Sequence, residues 1–411
     1  MNQLPTLDPV TAAISKVAAL LATVPLQRVP IAQAAGYVLA EDVRLDRDSP
    51  PLDVSAMDGF AIRLDDWQST PLPIAGIAAP GNPPLTLPKS TAIRIFTGAA
   101  VPVGADTILV RECSSESNNE VQFHVDLHAV RRGQHVRKRG ENASVQHLVL
   151  ASGSLLSATA MAALATFGPS HVSVYRRLNV SIINTGDELV PMGHAADPWQ
   201  IRDSNGPYLE QYLKQQPWVG SIHRQSVGDS KERLSTCIED RLSQSDVILL
   251  TGGVSMGDYD YVPETIRQSG GRVEFHRLPI RPGKPVLGAV GPQGQLICGL
   301  PGNPVSVAVT ARRIGLPLMR RMAGLPMEDS IQWRLPPPDA PIAVVDLIHY
   351  RLCKIDALGR CDWTPMMGSG DVVALSQSDG FLELPPNFPA NQPTNYPDDL
   401  TTEKRYRFYP W

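Results

Sequence analysis

The chain has 411 residues, which the usual domain size converts to about three domains. Its net charge of −4 gives a general nucleic-acid role no support, and it has no apolar run of the roughly eighteen residues that a membrane-spanning helix needs. Five scattered cysteines without a CxxC pair support neither a zinc site nor a disulfide framework, and fit a reducing cytoplasm.

Asp8 followed by Pro9 reads as an N-cap and first helical position, and Val10, Ile14, Val17 and Leu21 recur at helical spacing. This first helix is expected to stop at Val24-Pro25. From about Pro30 to Ser173 the strands are short and turns frequent, as in Thr91–Phe96. Ser157–Phe167 is an Ala-rich helix inside that region. Arg131, Arg132, Arg137, Lys138 and Arg139 cluster around Gly133, and a solvated loop is the plainer account of such a run.

From Leu178 the pattern alternates between strand and helix. Val180–Ile183, Ser221–Val227 and Asp246–Leu250 are strands, with Arg272–His276, Val286–Val290 and Leu296–Leu300 as further candidates. Asp203 and Ser230 cap the helices that follow two of them, and Val305–Met322 reads as one long helix. Such alternation implies right-handed crossovers, a parallel sheet with helices on both faces, and ligands at the carboxyl ends of the strands. Beyond Leu325-Pro326 the chain turns β-like again, with a Pro-, Asn- and Asp-rich stretch at Pro385–Asp399.

Four strand-end segments converge in such a sheet: Thr185-Gly186-Asp187-Glu188, Gly228-Asp229, Thr251 to Asp260, and Gly299 to Ser306. The third, with Gly252, Gly253 and Ser255, places Asp258 and Asp260 where a helix should begin. Glycines admit charged ligand groups to the backbone, and carboxylates beside helix N-termini suit a phosphorylated ligand with a divalent cation. In the fourth, Pro301, Gly302 and Asn303 precede Pro304, so free helix N–H groups are expected to face an anion. Glu188, Asp229 and Asp260 are hard oxygen donors suited to Mg²⁺. Arg281-Pro282-Gly283-Lys284-Pro285 holds two cations on a rigid turn, suited to a tetrahedral oxyanion or phosphate. Earlier in the chain, Ser49–Ala61 with Asp58 and Phe96–Asp106 with Thr97 are turns. The residues alone leave open whether they line a site.

Taken in order, Ser55-Ala56-Met57-Asp58-Gly59, Thr97-Gly98-Ala99 with Pro102 and Gly104-Ala105-Asp106, Arg137 to Glu141, Thr185 to Leu189, Asp203-Ser204-Asn205, Thr251 to Tyr261, Pro282 to Pro285 and Gly299 to Pro304 carry a resemblance. The chain resembles the bacterial molybdopterin molybdenumtransferase family, MoeA, which is related to the E domain of gephyrin. The resemblance runs from the first helix to the C-terminal β region. It implies a multidomain α/β plus β-rich protein: a three-layer α/β molybdopterin-binding domain with a parallel-type sheet, an elongated β-rich domain and a C-terminal β domain. The expected divisions are an N-terminal helix at 1–26 packed on the α/β domain, a linking domain from 27–48 and 142–173, the β-rich domain at 49–141, the α/β domain at 174–326 and the C-terminal domain at 327–411.

In function, the resemblance implies a cytoplasmic homodimer that inserts molybdenum from molybdate into adenylylated molybdopterin, releasing AMP with Mg²⁺ required. The active cleft would lie between the α/β domain of one subunit and the β-rich domain of the other. Asp58 and Thr97 would orient molybdate or the attacking water, opposite Glu188 and Lys284. Asp229 and Asp260 would meet the metal or the adenylate phosphates. Thr185, Gly186, Gly252, Gly253, Ser255, Arg281, Pro301, Gly302 and Asn303 would line the substrate. The molybdopterin adenylyltransferase and acceptor molybdoenzymes follow as partners, with neither nucleic acid nor membrane. Arg281 stands where the family pattern usually has Lys, which keeps the charge and changes the donor geometry. Two alternatives accompany this reading. One is a molybdopterin adenylyltransferase, disfavoured because Gly252-Gly253-Val254-Ser255 replaces that family's Gly-Gly-Thr-Gly turn. The other is a catalytically weak molybdopterin-binding scaffold or carrier.

Overall fold

The computed structural model describes residues 8–254, 261–328, 331–338, 342–388 and 405–411. They divide into two compact units. One comprises the described parts of Met1–Glu41, Ser152–Ser157 and Val172–Trp411; the other comprises Asp42–Ala151 and Ala158–His171.

The chain enters the first unit through α1 (Pro9–Ala18). Asp8 caps it as expected: its carboxylate accepts from the Val10 and Thr11 amides at 3.0 and 2.9 Å. Val10, Ile14, Val17 and Leu21 are buried together against the α/β sheet. The helix ends at Ala18, six residues before the expected stop at Val24, and the chain continues through a turn.

The second unit is built on strands β1 (Gly59–Ile62), β2 (Leu72–Ala78), β3 (Ala92–Ile95), β4 (Thr107–Val110), β5 (Ser114–Ser117) and β6 (Glu120–Phe123), in the order β4-β1-β3-β2-β6-β5. Successive residues of β1 face opposite sides, so Phe60 and Ile62 join Trp67 and Phe123 in one core while Ala61 joins Ile93, Ile95 and Ile108 in another. Helix α2 (Ala158–Phe167) belongs to this unit. The basic cluster is paired within the unit. Arg132 meets Asp65 and Asp106, both at 2.7 Å, and Lys138 meets Asp53 at 2.8 Å, so these side chains form surface ion pairs.

The α/β sheet of the first unit consists of β7 (Leu178–Thr185), β8 (Val219–Val227), β9 (Val247–Thr251), β10 (Arg272–His276), β12 (Leu287–Val290) and β13 (Leu296–Leu300); the short β11 (Ile280–Arg281) belongs to the next sheet. The order is β8-β7-β9-β13-β12-β10. The first four strands are parallel; β12 and β10 join antiparallel, because turns rather than crossover helices connect them. Helices α3 (Asn205–Lys214), α4 (Lys231–Leu242), α5 (Val262–Gln268), α6 (Pro304–Thr310) and α7 (Leu316–Met322) cover it. Leu209 of α3 and Val305 of α6 share a core with Ile182 and Leu249, whereas Ile238 of α4 and Ile266 of α5 pack with Ile183 and Ile248. Opposite strand faces thus meet different helices, which is the three-layer arrangement. The long helix expected over Val305–Met322 is interrupted by a π-helical turn at Ala311–Gly315, just before Pro317, which has no N–H to continue the α ladder.

A further sheet of this unit joins β11 to β15 (Ile348–Ile355), β17 (Gly380–Leu384), β18 (Tyr406–Pro410) and β14 (Trp333–Leu335), with β16 (Cys361–Trp363) paired on β15. A short helix, α8 (Val372–Ser376), sits between β16 and β17. Among the described residues no helix is long and apolar enough to cross a membrane.

Candidate active site

Strand register brings the expected loops to one edge. Thr185 pairs with Val227, Asn184 with Thr251, and Thr251 with Leu300. Four parallel strands therefore end together, and their following loops share the carboxyl edge. Leu287, the first residue of β12, pairs with Gly299, so the Arg281–Pro285 turn arrives at the same edge.

The glycines are demanded by close approach. Gly252 has φ +87°, and a Cβ there would lie 2.7 Å from both the carbonyl and hydroxyl oxygens of Thr185. Its N–H donates to the Leu300 carbonyl at 3.2 Å, and the Thr185 hydroxyl donates to the Thr251 carbonyl at 3.3 Å. Gly253, at φ +63°, lies against the same hydroxyl. Gly186 has φ +144°, and the Glu188 carboxylate stands over it where a side chain would be. Ser255 and Asp260, with Asp258, lie outside the described residues.

Asp229 does not cap the next helix. Ser230 does so itself, accepting from the Arg233 amide at 3.4 Å. Asp229 instead pairs with Asp187: the Asp187 amide donates to the Asp229 carboxylate at 3.4 Å, and the Asp229 amide donates to the Asp187 carboxylate at 3.1 Å. Sequence reasoning did not single out Asp187, although two adjacent acids directly after a strand are a signal for it. Asp187, Glu188 and Asp229 are all exposed. Among the described residues no group of three or more His, Cys, Asp or Glu side chains is arranged to hold a metal alone. Two exposed carboxylates do fit Mg²⁺, which takes one or two such ligands and completes its shell with waters and substrate phosphates.

The loop from Pro301 to Asn303 differs from expectation. Pro301 is buried and Gly302 exposed, as a close-approach loop requires, but the α6 N-terminus is partly occupied. The Val305 amide donates to the Ser369 carbonyl at 3.0 Å, and Asn303 Nδ2 donates to Ser369 Oγ at 3.0 Å. The segment Gly368-Ser369-Gly370 thus takes one of the amides expected to face an anion.

Arg281 and Lys284 are exposed at the edge. Gly283 between them has φ +102° and packs against Thr310 of α6. Arg281 pairs in register with His349 of β15, and Arg351 follows two residues on. Sequence reasoning missed this pair; polar residues alternating with buried Tyr350 and Leu352 were the available signal. Burial lowers the Arg351 pKa, and Arg281 lowers it further. His349 is pulled down to about 4 by burial first, then by Arg351 and Arg281. Below its ordinary value of 6.5 the unfolded chain binds a proton that the folded chain refuses until about 4, so stability is fully present above 6.5 and lost as pH falls through that window. A urea midpoint falling from pH 6.5 to 4 in wild type, with a flatter acid limb in His349→Gln, is expected; equal slopes would refute this.

In the second unit, Asp58 and Thr97 meet directly. The Asp58 carboxylate accepts from the Thr97 hydroxyl and amide, both at 2.7 Å. The Thr97 hydroxyl is the leading cause that lowers the Asp58 pKa, with Arg111 and Arg94 adding to it. Asp58 is therefore ionised and aimed.

A doubly covered α/β sheet that gathers acids and cations at one strand-end edge defines a binding site for a charged ligand. Residues 8–168 match the MoeA N-terminal region (domain I and II), and residues 181–321 match the family described as a probable molybdopterin binding domain. The chain belongs to the molybdopterin molybdenumtransferase (MoeA) family. It is 36% identical to the molybdopterin molybdenumtransferase of Nostoc sp. over 304 residues, covering 71% of this chain and 68% of that relative. It is 33% identical to that of Haemophilus influenzae over 334 residues, covering 80% and 78%. The crystal structure of a molybdopterin biosynthesis MoeA protein from Pyrococcus horikosii superposes with a TM-score of 0.78 at 26% identity, covering 98% of this chain and 99% of that one. The chain is accordingly a transferase of molybdenum cofactor biosynthesis.

Proposed function

We propose that this transferase inserts molybdenum from molybdate into adenylylated molybdopterin and releases AMP. The observation that supports this best is the division of charge along the shared edge. Asp187, Glu188 and Asp229 follow β7 and β8 at one side, and Arg281 and Lys284 precede β12 at the other. The acidic side suits phosphates presented with a cation, and the basic side suits a tetrahedral dianion. Asp187 and Asp229 would hold Mg²⁺, joined by Asp260 from the sequence reading. Bound there, Mg²⁺ would neutralise charge on the phosphoanhydride. Lys284 and Arg281 hold molybdate, and the loops at Thr185, Gly186, Gly252, Gly253, Ser255, Pro301, Gly302 and Asn303 position the substrate. Asp58 and Thr97 orient molybdate or the attacking water in a cytoplasmic homodimer. Partners are the adenylyltransferase that supplies the substrate and the molybdoenzymes that accept the product. Positioning and charge neutralisation supply most of the rate.

The test is AMP release from adenylylated molybdopterin with molybdate and Mg²⁺ added singly and together. Release that needs both is expected, and Asp229→Asn should lower it about 10²-fold, as loss of a preorganised electrostatic group does. Tight binding without turnover would favour a carrier, and ATP consumption would favour an adenylyltransferase.

A further inference from the structure

In the second unit, strand register sets a cation beside Asp58 that the site has not yet used. Gly59 of β1 pairs with Ile95 of β3 on one side and with Val110 of β4 on the other. Asp58, one residue earlier, is therefore flanked by the residues that follow those strands, Phe96-Thr97 and Arg111. A Cβ at Gly59 would collide with the Leu109 carbonyl, so β4 runs close against β1. Arg111 opens a single 3₁₀ turn, Arg111–Cys113, and its backbone is tied on both sides. Its amide donates to the Asp58 carbonyl at 3.0 Å, and its carbonyl accepts from Ser114 Oγ at 2.8 Å. The residue itself is exposed, and its guanidinium makes no ion pair among the described residues. Arg94, the other cation near Asp58, is engaged: it lies 3.7 Å from the Glu116 carboxylate and 5.7 Å from the Phe96 ring centroid.

Asp58 is only half satisfied. Both Thr97 bonds end on Oδ1, and Oδ2 has no hydrogen-bond partner among the described residues. An exposed carboxylate with one open oxygen accepts from water and repels a bare oxyanion. A dianion comes to such a place only beside a cation. The Thr97 hydroxyl lowers the Asp58 pKa most, and Arg111 is the first of the two cations that add to it, so its charge is felt at the carboxylate. A guanidinium fork spans two oxygens of a tetrahedral anion. We propose that Arg111 binds molybdate through its guanidinium, while Asp58 Oδ2 accepts from a water beside the bound anion. This rests on the function proposed above: the anion falls to Arg111 and the water to Asp58. Charge favours molybdate over phosphate here, because the phosphates of the acidic strand-end edge arrive with Mg²⁺, whereas molybdate arrives bare and needs protein cations.

The test is calorimetric titration of the full chain with sodium molybdate, with AMP release read in parallel. Arg111→Gln is expected to raise the molybdate Kd and KM about tenfold, the usual loss of a hydrogen-bonded charged group. Its kcat at saturating molybdate, its KM for adenylylated molybdopterin and its melting temperature should stay as in wild type, and Arg111→Lys should recover part of the affinity. Lys89→Gln, the same charge change at another exposed site of this unit, should leave molybdate binding unchanged. Asp58→Asn should lower kcat without raising the molybdate Kd. A wild-type Kd in Arg111→Gln overturns the assignment, as does a loss of kcat alone, a rise confined to the KM for adenylylated molybdopterin, or an equal loss of molybdate affinity in Lys89→Gln. Wild type whose AMP release does not depend on molybdate overturns the function proposed above; the calorimetric Kd of Arg111→Gln then decides alone whether Arg111 is an oxyanion ligand.

Discussion

Gly252→Ala is expected to lower molybdate-dependent AMP release by about 10²-fold or more, because a misplacement near 1 Å costs that much in a positioned site. Three strand ends meet at this residue. Its amide is tied to Leu300, and its missing side chain is the space that the Thr185 carbonyl and hydroxyl fill. A Cβ 2.7 Å from a backbone oxygen has no rotamer to escape into, so β7 and β9 must part or the loop must lift. Either movement displaces the groups proposed above to position the substrate. Backbone strain alone does not explain such a loss. An L residue at positive φ costs about 1–2 kcal/mol. Gly359→Ala isolates that cost: Gly359 has φ +78° in the β15–β16 turn, with nothing within 4 Å of a new Cβ. The control should lose a little stability and no turnover. Equal turnover in Gly252→Ala and wild type would mean that this edge does not carry the reaction.

Local chemistry and period were legible in the sequence; register was not. The Asp8 cap, the apolar face of α1 and the buried strands could be read directly, because each depends on residues within a few positions. The four-loop edge followed from one further rule, that parallel strands joined by helices end on the same side. The misses were long-range. Asp187 and Asp229 satisfy each other's amides across 42 residues, and no local pattern encodes that pairing. Arg281 meets His349 only through the pairing of β11 with β15. The Val305 amide is taken by Ser369, a residue 64 positions away, so a helix start that looked open is partly closed. The antiparallel edge of the α/β sheet was hidden for the same reason, since an apolar run does not state its direction.

One buried ion pair in the first unit links three of its elements. Arg313→Met is expected to destabilise it by about 3–5 kcal/mol, the cost of leaving one buried charge without its partner. Arg313 lies in the π-helical turn between α6 and α7, with a side chain only 6% exposed. Its guanidinium donates to both Glu383 oxygens at 3.1 and 3.3 Å, and reaches Thr11 of α1 at 3.3 Å. Tyr409 of β18 donates to the same carboxylate at 2.7 Å. Burial opposes the charge on Arg313, but the Glu383 carboxylate outweighs it and raises the pKa above the ordinary value. One side chain therefore joins α1, the long helix and the C-terminal sheet. Methionine keeps much of the volume and removes the charge, so the loss reports on Glu383, left at 16% exposure with a single phenol donor. Glu383→Leu in the same chain removes that stranded carboxylate and should restore much of the urea midpoint, because apolar replacement of a buried pair is often neutral. A double variant as unstable as Arg313→Met would show that packing and the contact with α1, rather than the unpaired charge, set the cost.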